Sequence, residues 1–588
     1  MSDAQEWLDR VRDAERRGEL LTAFDLAEQG LAAYPGDLWL RHRAVLALAR
    51  TGATEEAARR FEAYGLGEVD EEDVTALGAR IAKDVALGNA GAERRSGAAR
   101  AAALYRAIYD RTGGYYPAIN AATMSLLAGG AEDARDLARS VLSMIESGED
   151  DSYYALASAA EAALLLGDPD RAADYLARAG GAHGGDHAAV ATTRRQLRLV
   201  CRLMGIDDDA LSLLGAPKIA HFCGHRIAAE GKPGRFTAGA ETHVAREIEA
   251  AVDALAPAYA YGALASGADI MWAEALLARG CELHVVLPCA ADGFIESSVA
   301  SSGPGWVERF HRCFDAAADV SYATQDARIG DDVLYRYGTE LAMGLALLRA
   351  RYLDCEARQL AVWDGGPAAG AAGTAIDVAT WREKGRETTV VNPGDGDTPT
   401  AIPDSAANDS QRVVRAMLFA DVKGFAKLTD EELPRFADHV LGAFAAVLDR
   451  FTGDIGHRNT WGDAVYVVLT DAAVAAACAT ELQEAMERID LAAAGLPPHL
   501  ALRLGAHVGP VFPTRDPILG EATFMGSHVS RTARIEPVTP PGAVYVTEAF
   551  AASIELHRPD EFGCDYVGHI PAAKDFGRLR MYRLRRRA

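Results

Sequence analysis

Two aspartates mark the part of the chain best suited to chemistry. Asp421 follows the apolar run "VVRAMLFA", and Asp463 follows Gly462 in "RNTWGDAVYVVL". Gly462 supplies a tight turn, and Val465, Val467 and Leu469 alternate along one face of a strand entering a core. The run 413–420 reads as a buried strand, so Asp421 stands where a strand gives way to a helix. The loop amides of Gly424 and Phe425 are then free to meet an anion. Thr429 through Glu432 is a capping-box pattern that opens a long helix. Adjacent antiparallel strands would bring Asp421 and Asp463 side by side. Two close carboxylates repel unless a cation or a proton sits between them. Divalent metal with polyphosphate is the natural reading, since Mg²⁺ favours one or two carboxylates together with phosphate oxygens. His507 and His528 lie near these segments, but a lone histidine is more often packed or capping than catalytic.

The elements that must position these acids form the last part of a long chain. Its 588 residues suffice for about three or four domains. Residues 1–215 are rich in Ala, Leu and Arg and helical in period. "LLTAFDLAEQGLAAYPGDLWLRHRAVLALARTGATEEAARRFEAYGL" reads as paired helices about a Pro-Gly-Asp turn, with Ala23, Ala32, Ala47 and Ala57 where helices would pack closely. "AATMSLLAGGAEDARDLARSVLSM" and "ALASAAEAALLLGDPDRAADYLARAG" repeat the idea. This pattern resembles tetratricopeptide repeats with degenerate spacing. "RTGGYYPAINAATMSLLAGG" is also similar to the helical region beside the kinase in stress-activated kinase kinase kinases. The segment reads as a helical scaffold, whose concave face could also dock a protein partner.

Residues 216–394 alternate between strand and helix patterns, which implies an α/β layer with a parallel sheet. The loops after its strands carry small and polar residues: Gly224-His225-Arg226, Ser266-Gly267-Ala268-Asp269, and Gly365, Gly366, Gly370 and Gly373. Helix N-termini behind small residues suit phosphate, because free backbone N–H groups point outward. The same glycines would equally serve to close short turns. "GHR" and "SGAD…AEALLARGCELHVVLP" resemble the LOG-like, or SLOG, Rossmannoid domains, without a GxGxxG fingerprint. The resemblance implies a nucleotide-like ligand near Gly224, Arg226, Ser266 and Gly267. Residues 395–410, "DGDTPTAIPDSAANDS", have linker composition.

Residues 411–588 carry four ordered stretches: "LFADVKGFAKLTDEE", "NTWGDAVYVVL", "LRLGAHVGPVF" and "FMGSHVSRTARIEPVTPPGAVYVTEAF". Together they resemble the successive motifs of a class III nucleotidyl cyclase, with an α+β ferredoxin-like fold, over about residues 411–585. The resemblance implies that Asp421 and Asp463 hold two Mg²⁺ or Mn²⁺ ions, assisted by the Val422 carbonyl. It implies that the Gly424 and Phe425 amides hold the triphosphate, that Arg534 stabilises the transition state, and that Lys574 meets phosphate. Thr523 takes a base-contacting position. One copy of the domain implies a homodimer with two shared sites, acting on an NTP, with ATP the first expectation.

Three departures bear on that expectation. Asn459 stands where adenylate-making enzymes have Lys and guanylate-making enzymes Glu; an amide both donates and accepts, so it does not choose a base. GTP and pyrimidine NTPs therefore stay open. Ser530 stands at the position of the transition-state asparagine, and loss of such a contact costs roughly 2.7–4 kcal/mol of barrier. Trp461 replaces a small aliphatic residue, where it could narrow the pocket or pack the hairpin. A weak or inactive nucleotide-binding signalling module and an interaction scaffold are the competing readings.

The net charge of −24 argues against nucleic acid or an anionic membrane as partner. The basic end "RLRMYRLRRRA" reads as a solvated terminus. Eight cysteines without CxxC spacing read as reduced thiols. The charged start shows no apolar leader, and no run approaches the roughly 20 apolar residues that span a membrane. A cytoplasmic protein is expected.

Overall fold

The computed structural model describes residues 3–148, 150–229, 231–326, 332–368, 370–394, 412–574 and 576–587. The expected linker at 395–410 lies outside them.

The N-terminal region is an array of helix pairs running from Asp3–Arg16 to His187–Met204. Leu20–Ala33 and Leu38–Thr51 form the expected pair about Pro35-Gly36-Asp37. Asp37 caps the second helix by accepting from the Leu40 amide at 2.8 Å. Ala23, Ala47 and Ala57 are buried where helices meet, whereas Ala32 is exposed on the outer face. Further along, Tyr105, Ile119, Leu137, Val141, Leu156 and Leu176 belong to one continuous core between successive pairs.

The middle region is a parallel sheet of strands β1 (Ile219–Gly224), β2 (Tyr259–Gly262), β3 (Glu282–Leu287), β4 (Asp319–Tyr322), β5 (Ala357–Val362) and β6 (Thr388–Val391). Their order is β4-β3-β2-β1-β5-β6, so successive strands are added on one side of β1 up to β4 and on its other side from β5. Short apolar runs such as Val285–Leu287 and Leu360–Val362 are buried, as a sheet covered on both faces requires. Helix Val333–Leu353, which the strand-and-loop pattern does not single out, packs between this sheet and the next.

The C-terminal region is a mixed sheet built from β7 (Val413–Lys423), β8 (Ile455–Trp461), β9 (Ala464–Leu469), β10 (Ala501–Arg515), β11 (Ala522–Met525), β12 (Val544–Thr547), β13 (Phe562–Pro571) and β14 (Arg578–Arg586). The order is β13-β14-β12-β10-β7-β9-β8, with β11 folded back on β10. β10 runs parallel to β12, whereas β7 with β9 and β10, β8 with β9, β10 with β11, and β12 with β14 pair antiparallel. Two sequence expectations change here. The basic end is not a solvated tail: it is β14, with Met581 and Tyr582 buried and Arg585 paired to Asp565 at 2.6 Å. Met581 points to one face of the strand and Tyr582 and Leu584 to the other, so buried side chains on both faces hold it in the sheet. The helix after Thr429 begins at Leu433 and is broken by a π-helical turn at Ala437–Leu441 before Gly442–Arg450. Glu432 does reach back to the Thr429 amide at 2.7 Å.

The two sheets share a contact through helix Val333–Leu353. The buried Tyr337 hydroxyl donates to the Val508 carbonyl on β10 at 2.8 Å. Gly344 lies against the Ala552 carbonyl, where an added Cβ would come within 2.3 Å. Ser527 donates to Asp326 at 2.7 Å. Among the described residues none of the eight cysteines forms a disulfide. Among the described residues no helix is long and apolar enough to cross a membrane.

Candidate active site

β7 lies between β9 and β10, and this placement brings the two aspartates together. Ala420 pairs with Val465 on β9, so the hairpin turn at Gly462-Asp463 falls beside the end of β7. The Asp463 carboxyl faces the Asp421 carboxyl and the Val422 amide. Burial, then the Asp421 charge, push Asp463 up to about 6. A half-buried pair of carboxyls with this mutual repulsion suits a hard divalent cation, so the donor set fits Mg²⁺ or Mn²⁺.

Gly424 has φ of 99° and turns the chain out of β7, with no room for a Cβ beside His499. The Phe425 ring stacks obliquely on Phe436, centroids 4.9 Å apart, and lies over Gly462. Phe425 therefore braces the turn that carries Asp463, besides offering its amide.

Asp421 is not at a strand end. β7 continues to Lys423, and Asp421 pairs across the ladder with Arg503 on β10. The Arg503 guanidinium donates to Asp421 Oδ2 from Nη2 at 2.7 Å and from Nε at 3.1 Å. Its Nε also stands 2.5 Å from Glu536 Oε1. Burial raises the Glu536 carboxyl to about 7, Arg503 opposing and the two aspartates adding to the rise. Arg503 and Glu536 complete the acidic corner, and neither was singled out from the sequence. The signal was present for Arg503: it is the one charge inside the apolar run "LALRLGAHVGPV".

The remaining candidates fall into two further groups. The Ala573 amide donates to the Arg534 carbonyl at 3.1 Å, which sets Lys574 beside Arg534. Lys574 itself holds a φ of 58°, uncommon for a residue with a side chain. Asn459 on β8 and Thr523 on β11 are brought onto neighbouring strands, where the His457 ring donates to the Ala522 carbonyl at 2.9 Å. The Asn459 side-chain oxygen accepts from the adjacent Thr460 amide at 2.8 Å, leaving its amide nitrogen as the group to offer. Ser530 is exposed on helix Ser527–Thr532. No ion pair joins Arg534 or Lys574 to the aspartates among the described residues. Trp461 does not pack the hairpin of its own chain: it is 74% exposed.

His507 and His528 are buried partners, not free bases. His507 Nε2 and His528 Nδ1 are 2.7 Å apart, and His507 Nδ1 meets Thr547 Oγ1 at 2.7 Å. They tie β10 to the helix bearing Ser530.

In the parallel sheet, Gly224 and Arg226 border a cavity of about 320 Å³ at the carboxyl edge of β1 and β5. This is the topological switch point, where such sheets bind ligands. Ser266 and Gly267 do not line it. Ser266 is buried against Ser302 at 2.7 Å, and Gly267 packs on the Ile227 amide. The Asp269 and Asp377 carboxyls do line it, and burial pushes Asp269 up to about 7.

Comparison with known proteins matches two parts of the chain. The family model for the adenylate and guanylate cyclase catalytic domain matches residues 408–585, and that for the tetratricopeptide repeats-sensor matches residues 19–125. No curated protein matches. Among solved structures, the adenylyl cyclase CyaB from P. aeruginosa is 21% identical, over 30% of this chain and 95% of that one, with a TM-score of 0.27. The guanylate cyclase domain of RhGC from Catenaria anguillulae is 16% identical over 30% and 97%, with a TM-score of 0.26. The adenylate cyclases from Trypanosoma brucei match at 18% over 31% and 92%, TM-score 0.26. Neither family model carries the LOG-like resemblance of the middle region. Residues 408–585 thus match the adenylate and guanylate cyclase catalytic domain, and residues 19–125 match the tetratricopeptide repeats-sensor.

Proposed function

We propose that this protein is a nucleotidyl cyclase that converts an NTP, ATP first among them, to a 3′,5′-cyclic nucleotide and pyrophosphate. The observation that carries the reading is the shared corner of Asp421 and Asp463, two carboxyls held together against their own repulsion. Asp421, Asp463 and the Val422 carbonyl are the groups that would hold two divalent ions. Such ions supply acidification of the ribose 3′-hydroxyl and charge neutralisation along the triphosphate. The Gly424 and Phe425 amides orient phosphate oxygens from the turn after β7. Arg534 and Lys574 offset charge that develops around phosphorus and on the departing pyrophosphate. Asn459 and Thr523 contact the base, and the Asn459 amide nitrogen is a donor, which suits an acceptor on the ring.

The three groups of residues support a homodimer, in which one chain supplies the acids and its partner the base contacts and Arg534. The regulatory input is assigned to the N-terminal helices and to the cavity beside Gly224 and Arg226.

The test is incubation of the full chain with each of the four NTPs and Mn²⁺, followed by product analysis, with Asp421→Ala as control. Cyclic product from at least one NTP, lost in the variant, is the expected result. Absence of product from all four would end the reading.

A second reading has its own observation. Arg503 already neutralises Asp421, which suits a domain that binds nucleotide without turning it over. Tight NTP binding with no cyclic product would favour it.

A further inference from the structure

The helical array encloses a cavity of about 490 Å³ that the cyclase chemistry does not use. It is lined within residues 42–196 and lies wholly inside the N-terminal region. Four cationic side chains face it: Arg43, Arg50, Arg80 and Lys83. The acids on its wall are Glu72, Asp73 and Glu161. Glu161 is already engaged, with Thr123 at 2.5 Å and Gln196 at 2.7 Å.

The cations are incompletely satisfied. Arg43 and Arg50 share one acid, Glu15, at 2.9 and 3.7 Å. Arg80 stands 3.6 Å from Asp84. The Nε atoms of Arg43, Arg50 and Arg80 are all buried without a hydrogen-bond partner, as is His42 Nδ1. His42 is only 5% exposed and lines the same cavity. Lys83, 8% exposed, rests on the neutral oxygens of Asn120 at 2.9 Å and Gln196 at 3.3 Å, and burial lowers its pKa. Buried donors left without acceptors are costly unless something else completes them. Arginine in this number, around a space large enough for a small molecule, matches an oxyanion.

The mouth has a second character. Tyr115, Tyr116 and Tyr154 line it, and Tyr116 and Tyr154 are exposed large side chains. Aromatic faces beside arginines suit a planar ring.

We infer that this cavity is a binding site for a small anionic ligand whose phosphate or carboxylate group meets Arg43, Arg50 and Arg80, and whose planar part meets the three tyrosines. A protein partner on the concave face would not reach the depth of His42 and Lys83.

Three probes separate the sources of that chemistry: inorganic pyrophosphate, AMP and citrate, each titrated calorimetrically into the full-length protein. Because AMP could also enter the cyclase domain, each titration is repeated on Arg50→Gln and on Tyr154→Ala. The expected result is that AMP binds more tightly than pyrophosphate, that Arg50→Gln weakens both by about tenfold or more, and that Tyr154→Ala weakens AMP alone. Citrate binding with no gain for AMP would assign the anion to a carboxylate and drop the ring. Tyr154 is surface-exposed, so its variant folds even if Arg50→Gln does not. If no probe binds at millimolar concentration, or if both variants bind every probe as tightly as the native protein, the inference is wrong. The outcome is independent of turnover, so a failed cyclase assay does not decide it.

Discussion

Arg503 holds Asp421 across the β7–β10 ladder, with both Nη2 and Nε within 3.1 Å of one carboxylate oxygen. The acid that would hold metal is thus already half neutralised by a neighbour from its own sheet. Two unit charges about 4 Å apart interact by roughly 1 kcal/mol in water and about 4 at an effective dielectric constant of 20. Arg503 and Asp421 are about a quarter exposed, so the effect lies toward the lower figure. Arg503→Gln is expected to move the Mn²⁺ dependence of nucleotide binding to about five- to thirtyfold lower metal concentration. An unchanged metal titration would mean that Arg503 does not compete for Asp421.

Asp463→Asn separates stability from function. In the absence of metal, its carboxyl is raised by burial and by Asp421, so the charge is a burden on the folded state. Removing it should raise stability at pH 8 by about 1 kcal/mol. On the proposed metal-holding role, turnover should fall more than about a hundredfold, since losing such a ligand costs several kcal/mol of transition-state stabilisation. Denaturant melts beside an activity assay read both. A variant both less stable and fully active would contradict the assignment.

Ser530 offers a gain-of-function test. It is exposed on a short helix, so a larger polar side chain costs little. If the asparagine contact is what the chain lacks, Ser530→Asn should raise kcat by about tenfold or more, with KM little changed. An unaltered kcat would show that the serine position does not limit the reaction.

The sequence revealed the strand, turn and acid of "RNTWGDAVYVVL" because all three are local: a period of two, a glycine with positive φ and a polar residue after it. It also revealed the helix pairs, since Ala23, Ala47 and Ala57 recur where successive helices pack closely. Arg503 and Glu536 were hidden for the opposite reason. Their roles depend on which strand lies beside β7, a pairing eighty residues distant in the chain. His507 and His528 read as isolated histidines, and only the close approach of Gly509 to the His528 ring lets them meet. The basic end was misread because charge dominated composition, while Met581, Tyr582 and Leu584 bury it from both faces.

The histidine pair gives a pH dependence of known sign. Burial lowers His528 from 6.5 to about 3, with Arg531 and Arg412 adding to the fall and Asp326 opposing it, and His507 is lowered for the same first cause. A base with a depressed folded pKa stays neutral in the native state while the unfolded chain takes up a proton. Stability is therefore full above about 6.5 and is lost as pH falls toward 3. The loss is at most about 1.4 kcal/mol per pH unit for each such group. Denaturant melts at pH 7.5 and 5.0 should show a smaller drop in His528→Asn than in the native protein. That variant should also be about 1–2 kcal/mol less stable at pH 7.5, because His507 loses its partner. Equal pH dependence in the two proteins would remove the pair as the cause.

Trp461 makes the last prediction. A tryptophan 74% exposed at a hairpin tip contributes little to its own chain's stability. The same region of the catalytic domain exposes Ile518, Leu519 and Met525 on and before β11. β11 lies against β8, which ends at Trp461, so the apolar surface is carried by adjoining elements. Exposed apolar residues in this number mark a contact surface, and aromatic anchors commonly carry about 2 kcal/mol or more of a contact. Trp461→Ser should therefore leave the denaturant midpoint of the dilute protein unchanged. It should weaken self-association about thirtyfold, measured by sedimentation across a concentration series. If the active site is shared between two chains, specific activity of the variant should fall with dilution and recover at high protein concentration. Activity that is low at every concentration would instead place Trp461 in the site itself. Unchanged sedimentation would show that the chains meet elsewhere.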